Sequence, residues 1–169
     1  MSPTPSRALL RRVLTEAYRG PAWHGASLVQ TLKGVTLDQA RWRPSDGRNT
    51  IWELVLHLAY TRHRVLGRLG LRPAARFPRR LGRSWWPVMP DPASESAWNA
   101  DRALLAECQA RLLQGVERVS RSRLAVRRPG QQATIAFEVL GVALHDTYHT
   151  GQIRLLQKLR AGSGRREAP

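Results

Sequence analysis

The stretch His145-Asp-Thr-Tyr-His149-Thr-Gly-Gln-Ile153 decides the reading of this chain. Two histidines four residues apart on a helix stack about 6 Å apart along one face, so both imidazoles can hold one cation. The flanks keep helical period, because Val142, His145, His149, Gln152 and Leu156 fall on one stripe. Apolar neighbours above and below place that stripe inside a helical bundle. The plain alternative is two core histidines satisfied by hydrogen bonds. Two buried imidazoles need two partners, however, whereas one metal ion satisfies both, and histidine is a common metal ligand.

Working back from this stretch, a second amphipathic run opens at Thr50-Ile-Trp-Glu53, which has the form of a capping box. Ile51, Leu54, Val55, Leu58, Val65 and Leu69 form its buried stripe. His57 lies at the edge of that stripe, hydrogen-bonded in the core or aimed into a bundle cavity. His63 is about 240° further round and is expected to point elsewhere. Metal sites in bundles are assembled from facing helices, so His57 can join His145 and His149. Three neutral imidazoles with an open position have the form of a catalytic zinc site more than a closed structural one. Zinc is the default ion and nickel an acceptable one.

Before these runs, Ser6 to Lys33 reads as one long first helical element broken at Gly20-Pro21, and Thr36-Leu-Asp-Gln39 as a capping box for a short turn of helix. The second half of the stretch from Leu54 to Pro90 reads as a long connection, with Pro73, Pro78, Pro87 and Pro90 spread along it. Asp91-Pro92 is expected to cap a third long helix carrying Trp98, Leu105, Cys108, Leu112, Val116 and Val119. Arg118 to Pro129 ends in a Pro-Gly turn, and the last helix is expected from about Thr134 to Arg160. No strand pattern and no internal repeat is evident. The expectation is an all-α four-helix bundle forming a single domain over residues 1–162, with a disordered tail at 163–169.

Composition narrows the function. No apolar run spans a bilayer, and the N-terminus lacks the apolar core of a secretory signal, so a cytoplasmic protein is expected. A single cysteine, Cys108, leaves no internal disulfide, and its place in a core pattern makes it a small hydrophobe and not a nucleophile. The formal charge is +16, and of 28 basic residues only Lys33 and Lys158 are lysines. Between Leu54 and Pro90 there is no acidic residue, while arginines accumulate. No base-reading motif accompanies the charge, so only nonspecific nucleic-acid binding is expected. Trp85-Trp86 can anchor the connection, line a pocket or, third in rank, stack on single-stranded nucleic acid.

Asn49-Thr-Ile-Trp-Glu-Leu-Val-Leu-His57 followed by His145-Asp-Thr-Tyr-His149-Thr-Gly-Gln-Ile153 resembles the DinB/YfiT-like superfamily. The resemblance extends over the whole chain, and Trp23-His24-Gly25 and Trp42-Arg43-Pro44 look like one branch of it. It implies an up-up-down-down four-helix bundle, usually a homodimer, with a divalent metal on His57, His145 and His149. Activities in that superfamily include thiol-dependent S-transfer, isomerisation and proposed hydrolysis. No catalytic residue beyond the metal ligands is assigned, and no organic cofactor is expected. His145-Asp146-x-x-His149 also imitates the H-E-x-x-H of zinc peptidases. Asp146 is one methylene short of the glutamate base and the third histidine lies far upstream, so Asp146 is expected to form a salt bridge or to orient a histidine. Transfer using a metal-bound low-molecular-weight thiol is therefore expected first, with its carboxylates held by arginines before Pro90. Metal-dependent hydrolysis, or a non-enzymatic stress protein that binds metal and polyanions, is the alternative.

Overall fold

Side-chain oxygens at the starts of the helices set the element boundaries. Described here is a computed structural model of the chain, covering residues 4–70, 76–83 and 85–163. Ser6 accepts from Leu9 N and opens α1 (Arg7–Arg19). Capping boxes at Ser27/Gln30 and Thr36/Gln39 open the short helices α2 (Leu28–Leu32) and α3 (Leu37–Arg41). Thr50 and Glu53 do the same for α4 (Ile51–Arg68), as the sequence predicts. After α4 come β1 (Leu81–Arg83), β2 (Trp86–Pro87), α5 (Glu95–Arg118), α6 (Arg121–Ala125) and α7 (Ile135–Ser163).

The chain is mostly helical, and the long helices pair in a closed circuit. α4 packs on α5 and α7, and α1 packs on the same two. Two groups of buried side chains fill the interior. One centres on Trp52 and Trp98, whose ring centroids lie 5.4 Å apart. The other joins Leu10 and Leu14 of α1 to Leu112 and Val116 of α5 and to Ile135 and Val139 of α7.

Several sequence expectations need correction. The first element is not one helix with a break: α1 ends at Arg19, residues 20–27 form a turn with an Ala22–Gly25 bridge, and helix returns only over Leu28–Leu32. The capping box at Ser27 sets that start, because Gln30 closes onto the Ser27 N–H at 2.9 Å. Asp91 does not cap α5; Ser94 does, accepting from Ala97 N at 3.2 Å. The connection before α5 contains a two-stranded antiparallel hairpin, Leu81 opposite Pro87 and Arg83 opposite Trp86. Strands of three and two residues are too short to show an alternating pattern. The basic stretch after α5 holds α6, capped by Ser120, before the expected Pro129-Gly130 turn. The last helix runs as expected and ends three residues later, at Ser163. Residues 71–75 of the connection and the tail beyond Ser163 lie outside the described residues.

Candidate metal centre

The histidine site is built from two helices and one loop. His57 projects from the second turn of α4, and His145 and His149 from successive turns of α7. Their Nε2 atoms converge: His145 Nε2 is 3.0 Å from that of His57 and 2.9 Å from that of His149. Each histidine offers one ligand atom, and the three lie within 4.8 Å of one another. His63 stands outside this group, packed against Tyr60 and Phe77, as its helical angle predicts. His24 is outside it too and meets the Thr147 hydroxyl at 3.3 Å.

The outer nitrogens show which atoms face inward. Trp85 offers a carbonyl to His57 Nδ1 at 2.7 Å, and a carbonyl only accepts, so Nδ1 carries the proton. Gln152 Oε1 accepts from His149 Nδ1 at 2.6 Å, while Gln152 Nε2 donates to the Tyr148 hydroxyl. Both rings therefore turn a lone pair on Nε2 toward His145. A proton on His145 Nε2 satisfies one of these lone pairs and leaves the other opposed. Burial keeps all three rings from charging. His145 is pushed down to about 3 by burial and then by His149 and His57. His149 goes down to about 4, chiefly by burial, with Gln152 opposing, and His57 is lowered by burial against the Trp85 carbonyl.

Three neutral imidazoles with converging lone pairs are a fitting donor set for a divalent cation. Two nitrogens bound at 2.0–2.1 Å to one ion stand about 2.9–3.4 Å apart across the usual range of angles, and the observed edges fall at the short end. The outer hydrogen bonds of His57 and His149 are the partners that hold ligating imidazoles in one tautomer.

Trp85 and Trp86 settle the role of the connection. Trp86 stacks on the His57 ring, centroids 4.1 Å apart and 10° from parallel, and meets His149 edge-on. The Trp85 ring packs on Tyr60 and carries Arg64 and Arg68 over its face. Both indoles are thus engaged with the protein, as expected of residues that anchor the connection. Trp86 also lines a cavity with Arg41, Glu53 and Met89, and Gln152 lines another with Asn49, Leu54 and Leu156. The sequence pointed to Trp85-Trp86 as a pair; the use of Trp85 through its carbonyl has no sequence signal.

Asp146 forms a salt bridge, the first of its two expected roles. It is fully buried and its Oδ2 lies 2.5 Å from Arg62 Nη2. Arg62 is equally buried, donates to Gln109 and to the Leu58 carbonyl, and lies over the Tyr18 ring. Burial pushes the Asp146 carboxyl up and Arg62 opposes that. Committed to Arg62, Asp146 is not placed as a peptidase-type base. Cys108 is buried, and burial raises its thiol to about 11, so it is no nucleophile.

Among the described residues, no helix is long and apolar enough to cross a membrane. A family model described as the DinB superfamily matches residues 22–153, a span that contains His57, His145 and His149, the whole of α4 and the first two thirds of α7. No curated protein and no solved structure matches the chain. With the match covering well over half of the sequence, the chain belongs to the DinB superfamily.

Proposed function

We propose that His57, His145 and His149 hold one divalent ion, zinc or nickel, and that the protein transfers groups to or from a low-molecular-weight thiol brought to that centre. The observation that carries this reading is the convergence of three neutral imidazoles, two of which, His57 and His149, have their outer nitrogens already engaged. The ion would supply Lewis acidity, favouring the anionic form of a thiol or of water at its open position. The chain's own residues do the positioning. Trp85 and Trp86 fix His57 from its outer nitrogen and its ring face, and Gln152 fixes His149. With Cys108 buried and Asp146 paired, the nucleophile comes from outside the chain.

Titrating the cobalt-loaded protein with small thiols tests this directly. A shifted cobalt absorption spectrum together with thiol transfer to an electrophile is the expected result. Metal-dependent turnover of esters or amides, with no thiol response, would put hydrolysis in its place. The stacked Trp86 and the near-complete burial of His57 and His149 favour a second reading, a non-enzymatic metal-bearing stress protein. A silent spectrum and no turnover of either kind would select it.

The same proposal takes α1, α4, α5 and α7 as an up-up-down-down four-helix bundle, one cytoplasmic domain over residues 1–162, with nonspecific binding to polyanions. It also takes the protein as a homodimer. Support for the dimer lies on α7, where Phe137, Leu144, Tyr148, Leu155 and Leu159 are exposed along one side, with Gly141 and Gly151 leaving open space between them. Charging that stripe by Leu144→Asp with Leu155→Asp is expected to give a monomer by light scattering. A wild-type protein already monomeric at high concentration would remove the dimer.

A further inference from the structure

Away from the histidine centre, a cavity of about 800 Å³ opens between the second half of α4 and the start of the hairpin connection. Tyr60, His63 and Phe77 form its aromatic wall, the rings meeting at 5.1–6.3 Å between centroids. Arg64, Arg76 and Arg80 are exposed around it, and among the described residues no carboxylate lines it. Arg79 completes the set: its Nη2 lies 2.6 Å from the buried Asp101 carboxylate. Its Nε is a buried donor that no acceptor among the described residues meets. Asp101 in turn accepts from Trp52 Nε1 at 2.8 Å, which anchors Arg79 to the core. The electrostatics agree with the geometry. Burial lowers His63 first, and Arg111 of α5 and Arg64 lower it further, so positive charge faces this ring from two helices.

Four guanidinium groups around one cavity repel one another unless an anion joins them. Arg79 is neutralised by Asp101, which leaves the excess on Arg64, Arg76 and Arg80. Guanidinium forks match oxyanions in bidentate geometry, and a phosphate group places up to two charges on one compact centre. A ligand with one or two phosphates supplies the missing charge within a single cavity. We infer that the cavity walled by Tyr60, His63 and Phe77 and ringed by Arg64, Arg76, Arg79 and Arg80 is a binding site for a small phosphate-bearing anion. The site is separate from the three imidazoles. Trp85 links the two, since its ring packs on Tyr60 while its carbonyl holds His57.

Calorimetric titration of the full chain with inorganic pyrophosphate, ADP and citrate, at physiological ionic strength, tests the assignment. Saturable binding of one pyrophosphate or ADP per chain is expected, with citrate at least about tenfold weaker, because its charge is spread over three carboxylates. Arg76→Gln with Arg80→Gln, both at exposed positions, is expected to weaken pyrophosphate about tenfold or more while leaving metal content unchanged. Arg118→Gln with Arg121→Gln, on the last turn of α5 and on α6, should leave the affinity as it was. Equal weakening by both pairs would show diffuse attraction to a basic surface and overturn the site. Binding that survives Arg76→Gln with Arg80→Gln would place the anion elsewhere, the imidazole centre included, and overturn it too. Citrate binding as tightly as pyrophosphate would overturn the phosphate class.

Discussion

Alanine at His145 is expected to leave the chain without its divalent ion, and with it to remove the stabilisation that the ion brings. His145 Nε2 sits between the other two, 3.0 and 2.9 Å from them, so its loss removes the shared corner of the donor set. His57→Ala and His149→Ala should lower metal content as sharply, whereas His63→Ala, against Tyr60 and Phe77, should not. Losing an outer partner is milder: Gln152→Ala, which frees His149 Nδ1, is expected to weaken the ion about 10–100-fold. An ion that binds only the folded chain at a thousand times its Kd stabilises it by about 4 kcal/mol. For a chain of this size that corresponds to a Tm lowered by about 10 °C on chelation. Elemental analysis and melting curves with and without chelator measure both effects. The chelator shift should be present in wild type and His63→Ala and absent in His145→Ala. Full metal occupancy in His57→Ala would strike the third ligand from the site.

The largest effect on stability is expected at the buried ion pair. Arg62 and Asp146 have no exposed side-chain surface, and Arg62 ties α4 to α7 through Asp146 and to α5 through Gln109. Gln109 continues the chain of bonds to the Leu14 carbonyl of α1. Removing one member leaves the other charge buried and unpaired. Asp146→Leu or Arg62→Met alone should therefore cost about 3–5 kcal/mol. That is a Tm lower by about 10 °C or more for a domain of this length. Replacing both by apolar side chains removes both charges from the interior and should restore most of the loss, since desolvation offsets much of what a buried pair contributes. Denaturant melts of the two single variants and the double variant decide it. Single variants within about 1 kcal/mol of wild type would mean that water reaches the pair.

How far the sequence carries can be followed residue by residue. By itself it determined the long helices, because caps and 3.6-residue periodicity are local: Thr50 with Glu53, Thr36 with Gln39, and the stripe through His145 and His149 all stand as read. It also determined which histidines could meet, since the angle between His57 and His63 on one helix separates them before any fold is known. Boundaries failed where several local signals competed, as with Asp91 against Ser94 for the start of α5. The hairpin failed because strands so short leave no period. Only the tertiary structure decided how the site is held. The Trp85 carbonyl on His57 is a backbone group, which every residue possesses, so no residue type announces it. The pairing of Arg62 with Asp146, 84 residues apart, depends on which faces of α4 and α7 come together. That choice is made by packing the whole interior, and local periodicity does not contain it.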